Sequence, residues 1–572
     1  MRSNNRKFLY ESMFLISGIL FLALNIFPLF FTNDWDRSYI IQFWAEKFGT
    51  SNTIFLAVCS LIVVIVSIPF ITWLLKTQES LIIKKMNAAL YSSKVFWSCI
   101  VIASIGVLVQ IIFCFSQDIW ADESFSLALI KHSYSEVISL TAADVHPPLY
   151  YFILKFFVDS TRIILTDLPA VYFAKIVSTI PYILLLLVCA TKIRKEWNNY
   201  VAAMFAICLV GMQNLIMYGV EIRMYNWGML FVTLAFLYAN DIITKKRKKD
   251  WILFVLFSLL AAYTHYFACI AAGISYLMLF VWFYVNDKKQ IKNWLIAVII
   301  TVIGYFPWLI IFIQQAQKVS DDYWIPEIAF TTIIGYARFM FEMPLLAIIA
   351  IIIIVCLIID LHHTKFRNWT SAYSFSGILI PIGTTLFGII VSVIIRPVFI
   401  SRYMIPGLAS LWLGLFIAID SLNKEKLKVV TSFLMISFCL YNIAYFSYSE
   451  NLYRIKSNNT INFLNSQKNA VYFSDNSHIN MTLAEMTETK CYIWKKEVSL
   501  LETQVFENMG SLHSTGDIIQ LLKEGKAVYF AEYSNNRSVG EILHGSNLNY
   551  MNMGKYRAEF PIEIYKITET DK

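Results

Sequence analysis

The sequence predicts an α-helical polytopic membrane protein of about thirteen transmembrane helices, with juxtamembrane helices on the outer face and a small C-terminal α/β soluble domain. Three observations predict it. Of 572 residues, 58% are hydrophobic and 15% charged, more apolar surface than a soluble fold of this size can hide. Apolar runs of about 20 residues recur along most of the chain, each long enough to cross roughly 30 Å of hydrocarbon. The last stretch, from about residue 450, instead carries short apolar runs of strand length.

The chain opens MRSNNRKFLYESMFLISGILFLALNIFPLFF, a basic end and a long apolar run with no small-residue cleavage site. It reads as a retained first span. Spans follow at about 10–32, 53–75, 95–116, 171–191, 200–217, 226–243, 251–265, 267–285, 294–315, 344–361, 373–395, 404–420 and 429–447. Those near 200–217 and 251–265 are short enough to be tilted or broken. The odd count puts the termini on opposite sides. Charge then orients the chain. One set of loops, including KKRKK at 245–249, holds about 23 basic residues, the other about 10 over longer loops. The richer set is cytoplasmic, so the N-terminus is inside and the C-terminal domain is extracytoplasmic. The net charge of +8 is accounted for by these short loops and calls for no nucleic acid. Nine cysteines show no CxxC or zinc spacing, and eight fall in spans. The divisions are 1–94, two additional N-terminal helices; 95–449, the main transmembrane domain; and 450–572, the extracytoplasmic α/β domain.

The polar residues of interest fall in the outer loops. DIWADESFS (118–126) follows a span and sets Asp122 and Glu123 at its mouth, where acids are costly if buried. SFSLALIKHSYSEVISLTA has helical spacing and suggests a helix along the membrane surface. In ADVHPPLYY, proline holds His146 extended and starts a second surface helix near Pro148, with Asp144 ahead as a possible cap. In MYGVEIRMY, Glu221 and Tyr225 share a face if the segment is helical, and Arg223 suits either an ion pair or an anion. His265 sits at a short turn, and Arg396, Arg402 and Tyr403 at another. Asp122, Glu123, Asp144, His146, Glu221, Arg223, His265 and Arg402 thus share one membrane face. That mix suits a reaction in which an acid takes a proton and cations hold a departing anion.

WADES (120–124), DVHPPLYY (144–151), EIRMY (221–225), YTHYF (263–267) and PVFISRY (397–403), in this order, resemble the GT-C glycosyltransferases. The group in view is family 39-like, with the protein O-mannosyltransferases and the bacterial aminoarabinose transferase of lipid A. The resemblance covers about residues 95–447; the two extra N-terminal spans depart from the simplest layout. It implies a GT-C-like catalytic domain and an inverting transfer from a polyprenyl-phosphate sugar to an acceptor hydroxyl at the outer face of a plasma membrane. It implies Asp122 as the base, with Glu123 positioning Asp122 or the acceptor. His146, Tyr150, Glu221, Arg223, Tyr225, Arg402 and Tyr403 are the candidates for donor phosphate and substrate. No cofactor is certain; a divalent metal on Asp144 and His265 is left open, because metal use varies in this superfamily. The acceptor is open among glycan, lipid and protein, and the lack of a eukaryotic-type lumenal module favours a bacterial membrane. The other readings are a lipid-linked glycan flippase and an envelope polysaccharide polymerase or ligase. Transporters place charged or broken segments near mid-membrane, whereas here the polar set sits at the boundary.

QKVSDDYWIPEIAFTTIIGYARFMFEMP (315–343) is a second long outer loop with an interfacial helix in its middle, Asp321 and Asp322 being solvated charges. In the C-terminal part NAVYFSD, KCYIWK and AVYFAEY read as strands, INMTLAEM and TGDIIQLLKEG as helices between them, and LNYMNMGKYRAEFPIEIYKI as a hairpin. That pattern predicts a mainly parallel sheet. It holds no Gly-rich phosphate loop and no nucleophile motif.

Overall fold

The structure is a computed structural model that describes residues 81–318, 325, 327–487, 489–534 and 536–570. The chain forms two compact units, Met1–Lys84 with Lys424–Leu427, and Lys85–Asn423 with Lys428–Lys572. Of the first, only the ends of helices Leu81–Leu90 and Glu425–Ser466 are described. The spans expected at 10–32 and 53–75, the retained first span, and the charges Asp321 and Asp322 lie outside the described residues.

A helix stands at each of the eleven spans expected from residue 95 onward. Among the described residues, nine helices are long and apolar enough to cross a membrane. The other two are the short spans. Helix Asn199–Gly211 stops at Met212, whose ψ of 132° is extended, and Gln213–Tyr218 resumes beyond it. The break is held from outside the helix. The Glu342 carboxylate accepts from the backbone N–H groups of Gln213 and Asn214, both at 2.7 Å. These are the donors that a helix start leaves without intrahelical partners. The second short helix, Lys248–Thr264, ends at an extended His265.

The bundle is layered by burial. Ser401–Ser421 is almost wholly buried and forms its centre, while Lys288–Gln317 is largely exposed and presents an apolar surface suited to lipid. The central helix crosses Trp369–Ile394 at two glycines. A Cβ on Gly377 would lie 2.7 Å from the Ser410 carbonyl, and one on Gly414 would lie 2.6 Å from the Ser374 carbonyl. Small residues let the two backbones approach, which is how helices pack where no hydrophobic drive acts between them. Gly414→Val should therefore lower stability by about 1–3 kcal/mol. Thermal melting of the detergent-purified protein checks this, and an unchanged midpoint would show that the crossing tolerates a side chain.

Helix Glu425–Ser466 runs on past the last span into the C-terminal sheet. The strands are β1 (Ala470–Ser474), β2 (Cys491–Trp494), β3 (Met509–Leu512), β4 (Ala527–Glu532), β5 (Leu548–Ala558) and β6 (Phe560–Glu569), in the order β3-β2-β1-β4-β6-β5. The β1–β2, β2–β3 and β1–β4 pairs are parallel, and β5–β6 is the expected hairpin. All five residues of β1 are buried, which explains its continuous apolar run: helices cover both faces of a parallel sheet. Strand β3 and the short helices Leu500–Val505 and Val539–Leu543 were not foreseen. Sequence MGSL has no apolar run to mark it, and it becomes a strand because β2 supplies a paired edge.

Candidate active site

The outer-loop helix expected from SFSLALIKHSYSEVISLTA is two helices, Ala121–Leu129 and Tyr134–Ala143, broken where Ser133 caps the second. The first begins after a six-residue connection from span Ser93–Cys114, with Asp122 and Glu123 in its first turn, where the helix dipole favours acids. Adjacent residues on a helix diverge by about 100°. That divergence separates the two acids. Glu123 turns inward and is 2% exposed. Its Oε1 accepts from Ile222 N at 2.8 Å and its Oε2 from Trp120 N at 3.2 Å. Glu123 therefore ties the turn 219–224 to the start of the helix.

Asp122 turns the other way, into the site. Its Oδ2 meets the Arg402 guanidinium at 3.0 Å and that of Arg223 at 3.5 Å. Arg223 also donates to the Asp122 backbone carbonyl at 3.1 Å. Both arginines take the same carboxylate oxygen. The Oδ1 atom makes no hydrogen bond among the described residues. Burial works to raise the Asp122 pKa, but Arg223 and then Arg402 outweigh it and hold the carboxyl below the ordinary range. For Glu123 burial wins: with Glu221 adding repulsion against the pull of Lys175, its carboxyl is pushed up to about 8.

A pKa raised in the fold gives stability that is present at low pH and lost as pH rises through the folded value. The native melting temperature should fall as pH rises from about 4.5 to about 8 and level off above that, and Glu123→Gln should remove that fall. Glu123→Ala should cost more, about 1–3 kcal/mol for each buried N–H left without an acceptor. Melting curves of both variants across this pH range check it; equal losses would show that the two hydrogen bonds are idle.

Segment 219–224 is not helical. Helix Gln213–Tyr218 ends before it and Tyr225 opens the next helix, so Glu221 and Tyr225 do not share a helical face. Glu221 bears on Glu123, whereas Arg223 reaches Asp122. Arg402 lies in the turn Ser401–Met404, over the Trp120 ring at 4.9 Å. Beside it is an aromatic cluster. His265 lies 4.8 Å from Tyr403, 5.5 Å from Tyr225 and 5.8 Å from His146, centroid to centroid. The ring of Tyr403 also stacks on Phe267 at 5.1 Å.

Asp144 caps the C-terminal end of Tyr134–Ala143 and holds His146 through Nδ1 at 3.0 Å. His265 Nδ1 accepts from Phe267 N at 3.2 Å, capping the next helix and leaving the proton on Nε2. Burial depresses the His265 pKa, helped by His146, Arg223 and Arg402, so this imidazole is neutral. Asp144 and His265, the two possible metal ligands, are thus each engaged in the fold. Among the described residues no group of three or more His, Cys, Asp or Glu side chains is arranged to hold a metal ion.

The second surface helix, Leu149–Arg162, starts where proline placed it and buries Tyr150 and Tyr151 completely. Tyr150 lies by Ser178, Arg223 and Glu123. Tyr151, which sequence reasoning passed over, faces Arg223, Asp144, Asp122 and Tyr225. Its hydroxyl makes no hydrogen bond among the described residues. The YY doublet was the available signal. Lys175 was also missed; it is 4% exposed and donates to the Asp118 carbonyl at 2.5 Å. So were two residues of the C-terminal domain, His478 and Glu559, which meet this helix start.

No family model matches the chain, and no curated protein does. Solved structures do. ArnT from Cupriavidus metallidurans in the apo state aligns with a TM-score of 0.52 at 10% identity, over 84% of this chain and 99% of ArnT. The same ArnT bound to undecaprenyl phosphate aligns with a TM-score of 0.51 at 10% identity, over 83% and 98%. At this identity the likeness is one of fold, and it extends over nearly the whole of ArnT. The chain is a multi-pass membrane protein with the fold of ArnT and a small α/β domain at its C-terminal end.

Proposed function

We propose that the protein is an inverting glycosyltransferase that moves a sugar from a polyprenyl-phosphate carrier to an acceptor hydroxyl at the outer face of a bacterial plasma membrane. The observation that carries this reading is the Asp122 carboxylate, with Oδ2 between Arg223 and Arg402 and Oδ1 open. Undecaprenyl phosphate on a protein of the same fold supports the choice of carrier.

The chemistry follows from these groups. An inverting transfer needs one base and one place to put the leaving phosphate. The acceptor oxygen bonds to the anomeric carbon as the bond from that carbon to the phosphate oxygen breaks. The hydroxyl proton goes to Oδ1 of Asp122, and the electron pair leaves with the phosphate. Charge grows on the phosphate as it departs, and Arg223 and Arg402 are the cations within reach. Paired with the carboxylate, they hold Asp122 ionised. As they turn to the phosphate, the carboxylate regains basicity when the proton must move. Tyr151 offers a buried hydroxyl to the donor. His146, Tyr225 and Tyr403 with His265 wall the site. Glu123, facing inward, positions both Asp122 and the Arg223 turn.

The sidedness has support at the opposite end of the helices. Residues 192–196 and 245–250, both counted as cytoplasmic from their charge, meet in one ion-pair network. Lys192 and Lys245 share Glu196 and Asp241, and Arg247 pairs with Asp250. A flippase would need its charged residues along the bundle, whereas Asp122, Arg223 and Arg402 stand at helix ends.

The test is a mass-spectrometric profile of isoprenoid lipids from cells with and without the protein. A polyprenyl-monophosphate sugar should build up in its absence, and its mass names the donor. Build-up of a diphosphate-linked glycan instead would mean a polymerase or ligase. No build-up despite a measurable donor pool would sink the transferase reading.

A further inference from the structure

The C-terminal domain docks on the start of the Asp122 helix. The Arg557 guanidinium grips the Asp118 carboxylate at 3.0 and 3.3 Å. Glu559 Oε2 accepts from Ala121 N, next to Asp122, at 3.0 Å. The other oxygen of Glu559 meets His478 Nδ1 at 3.3 Å. Glu559 sits at the corner between β5 and β6 with φ 62°, a left-handed backbone unusual for a residue with a side chain. That corner aims one carboxylate at both the bundle and the imidazole. Phe560 lies alongside the imidazole at 6.5 Å and Tyr533 stacks behind Phe560 at 4.9 Å, so the ring is fixed. The His478 side chain is nevertheless 45% exposed, against 11% for Glu559. Its Nε2 makes no hydrogen bond among the described residues.

We propose that the C-terminal domain is the acceptor-binding module, and that His478, oriented by Glu559, hydrogen-bonds through Nε2 to an acceptor oxygen beside the hydroxyl that Asp122 deprotonates. This rests on the transferase reading. Arg223 and Arg402 occupy the donor side of Asp122, at Oδ2; His478 approaches from the separate domain docked over the helix start. The groups that act on it are Glu559 from the β5–β6 corner, Asp122 from the helix below and Arg402 from its turn. The hydrogen bond to Glu559 comes first and raises the His478 pKa against burial, Asp122 adds to the rise, and Arg402 opposes it. Protonated, His478 offers Nε2–H as a donor. The matching group is therefore an oxygen without a proton to give, best an anionic one such as a phosphate or carboxylate.

The test uses the full chain in detergent, labelled polyprenyl-phosphate sugar, and an envelope extract from cells lacking the protein as the acceptor source. His478→Ala should raise the amount of extract needed for half-maximal transfer about 10-fold, the worth of one charge-assisted hydrogen bond, and leave the donor KM in place. The unmodified protein should lose this advantage as pH rises through the His478 titration, and Glu559→Gln should move that loss to lower pH. Equal half-saturation of His478→Ala and unmodified protein, or an equal rise in donor KM, overturns the assignment while transfer itself stands. No extract-dependent transfer by the unmodified protein would instead sink the transferase reading on which it depends. Matching melting curves guard against misfolding, and His478→Gln, which keeps a donor, should recover part of the loss.

Discussion

Cells whose only copy carries Asp122→Asn should accumulate the donor lipid as fully as cells that lack the protein. The purified variant should lose about 10³-fold in kcat. Asparagine has the size of aspartate and still presents an oxygen to Arg402, so the helix and the turn 219–224 should hold. What it lacks is the charge and the ability to take a proton. Removing the charge has a second consequence. Arg223 is 4% exposed and pairs with this carboxylate, so in the variant the two guanidinium groups lose the negative charge that Asp122 supplies. A donor phosphate then supplies it. Donor affinity should rise while turnover collapses, a split that damage to the fold would not produce. Measured donor KM and kcat decide it. A kcat within about tenfold of the unmodified protein would make Asp122 a helix-end acid rather than the base.

Arg402→Gln should cost about 10²–10³-fold in kcat/KM, the range for removing one preorganised group from a developing anion. The change also strips the guanidinium from the Trp120 ring, a smaller loss. The pH profile separates a catalytic loss from a packing loss. Arg402 is one of the two arginines that hold the Asp122 carboxyl down. A depressed pKa keeps the carboxylate ionised to lower pH; without Arg402 its pKa rises, so the acid limb of kcat/KM should move to higher pH. Arg402→Lys keeps a charge but not the planar fork, and should restore the limb better than the rate. An unmoved acid limb in Arg402→Gln, with donor KM unchanged, would detach this residue from both Asp122 and the phosphate. Combined with Asp122→Asn, the loss should be less than additive, since the two side chains share one contact.

The span pattern was legible because hydrophobic length is a local property. Eleven runs read from residue 95 onward became helices, and the doubtful 200–217 run broke at Met212. Pro148 set the start of its helix through its fixed φ, and the buried strands β1, β2 and β4 announced themselves as short apolar runs. The site residues were legible as types in an order of motifs, which brought Asp122, Arg223, Arg402, His146 and His265 onto one face. Direction was not legible. Two adjacent acids look alike in a string, yet one is a buried anchor and the other opens to the site.

Partners were not legible either. Asp122 meets Arg402 across 280 residues, and Ala121 meets Glu559 across 438. Helical and strand periodicity report which face of an element is apolar, over a few residues. Which polar group then meets which depends on how whole elements pack, and at those separations no repeat in the sequence carries it. The sequence by itself thus determined the spans, the sheet class and the chemistry available at one end of the bundle. Tertiary packing alone decided that Glu123 turns inward, that both arginines share one oxygen of Asp122, and that the C-terminal domain brings a histidine to the same place.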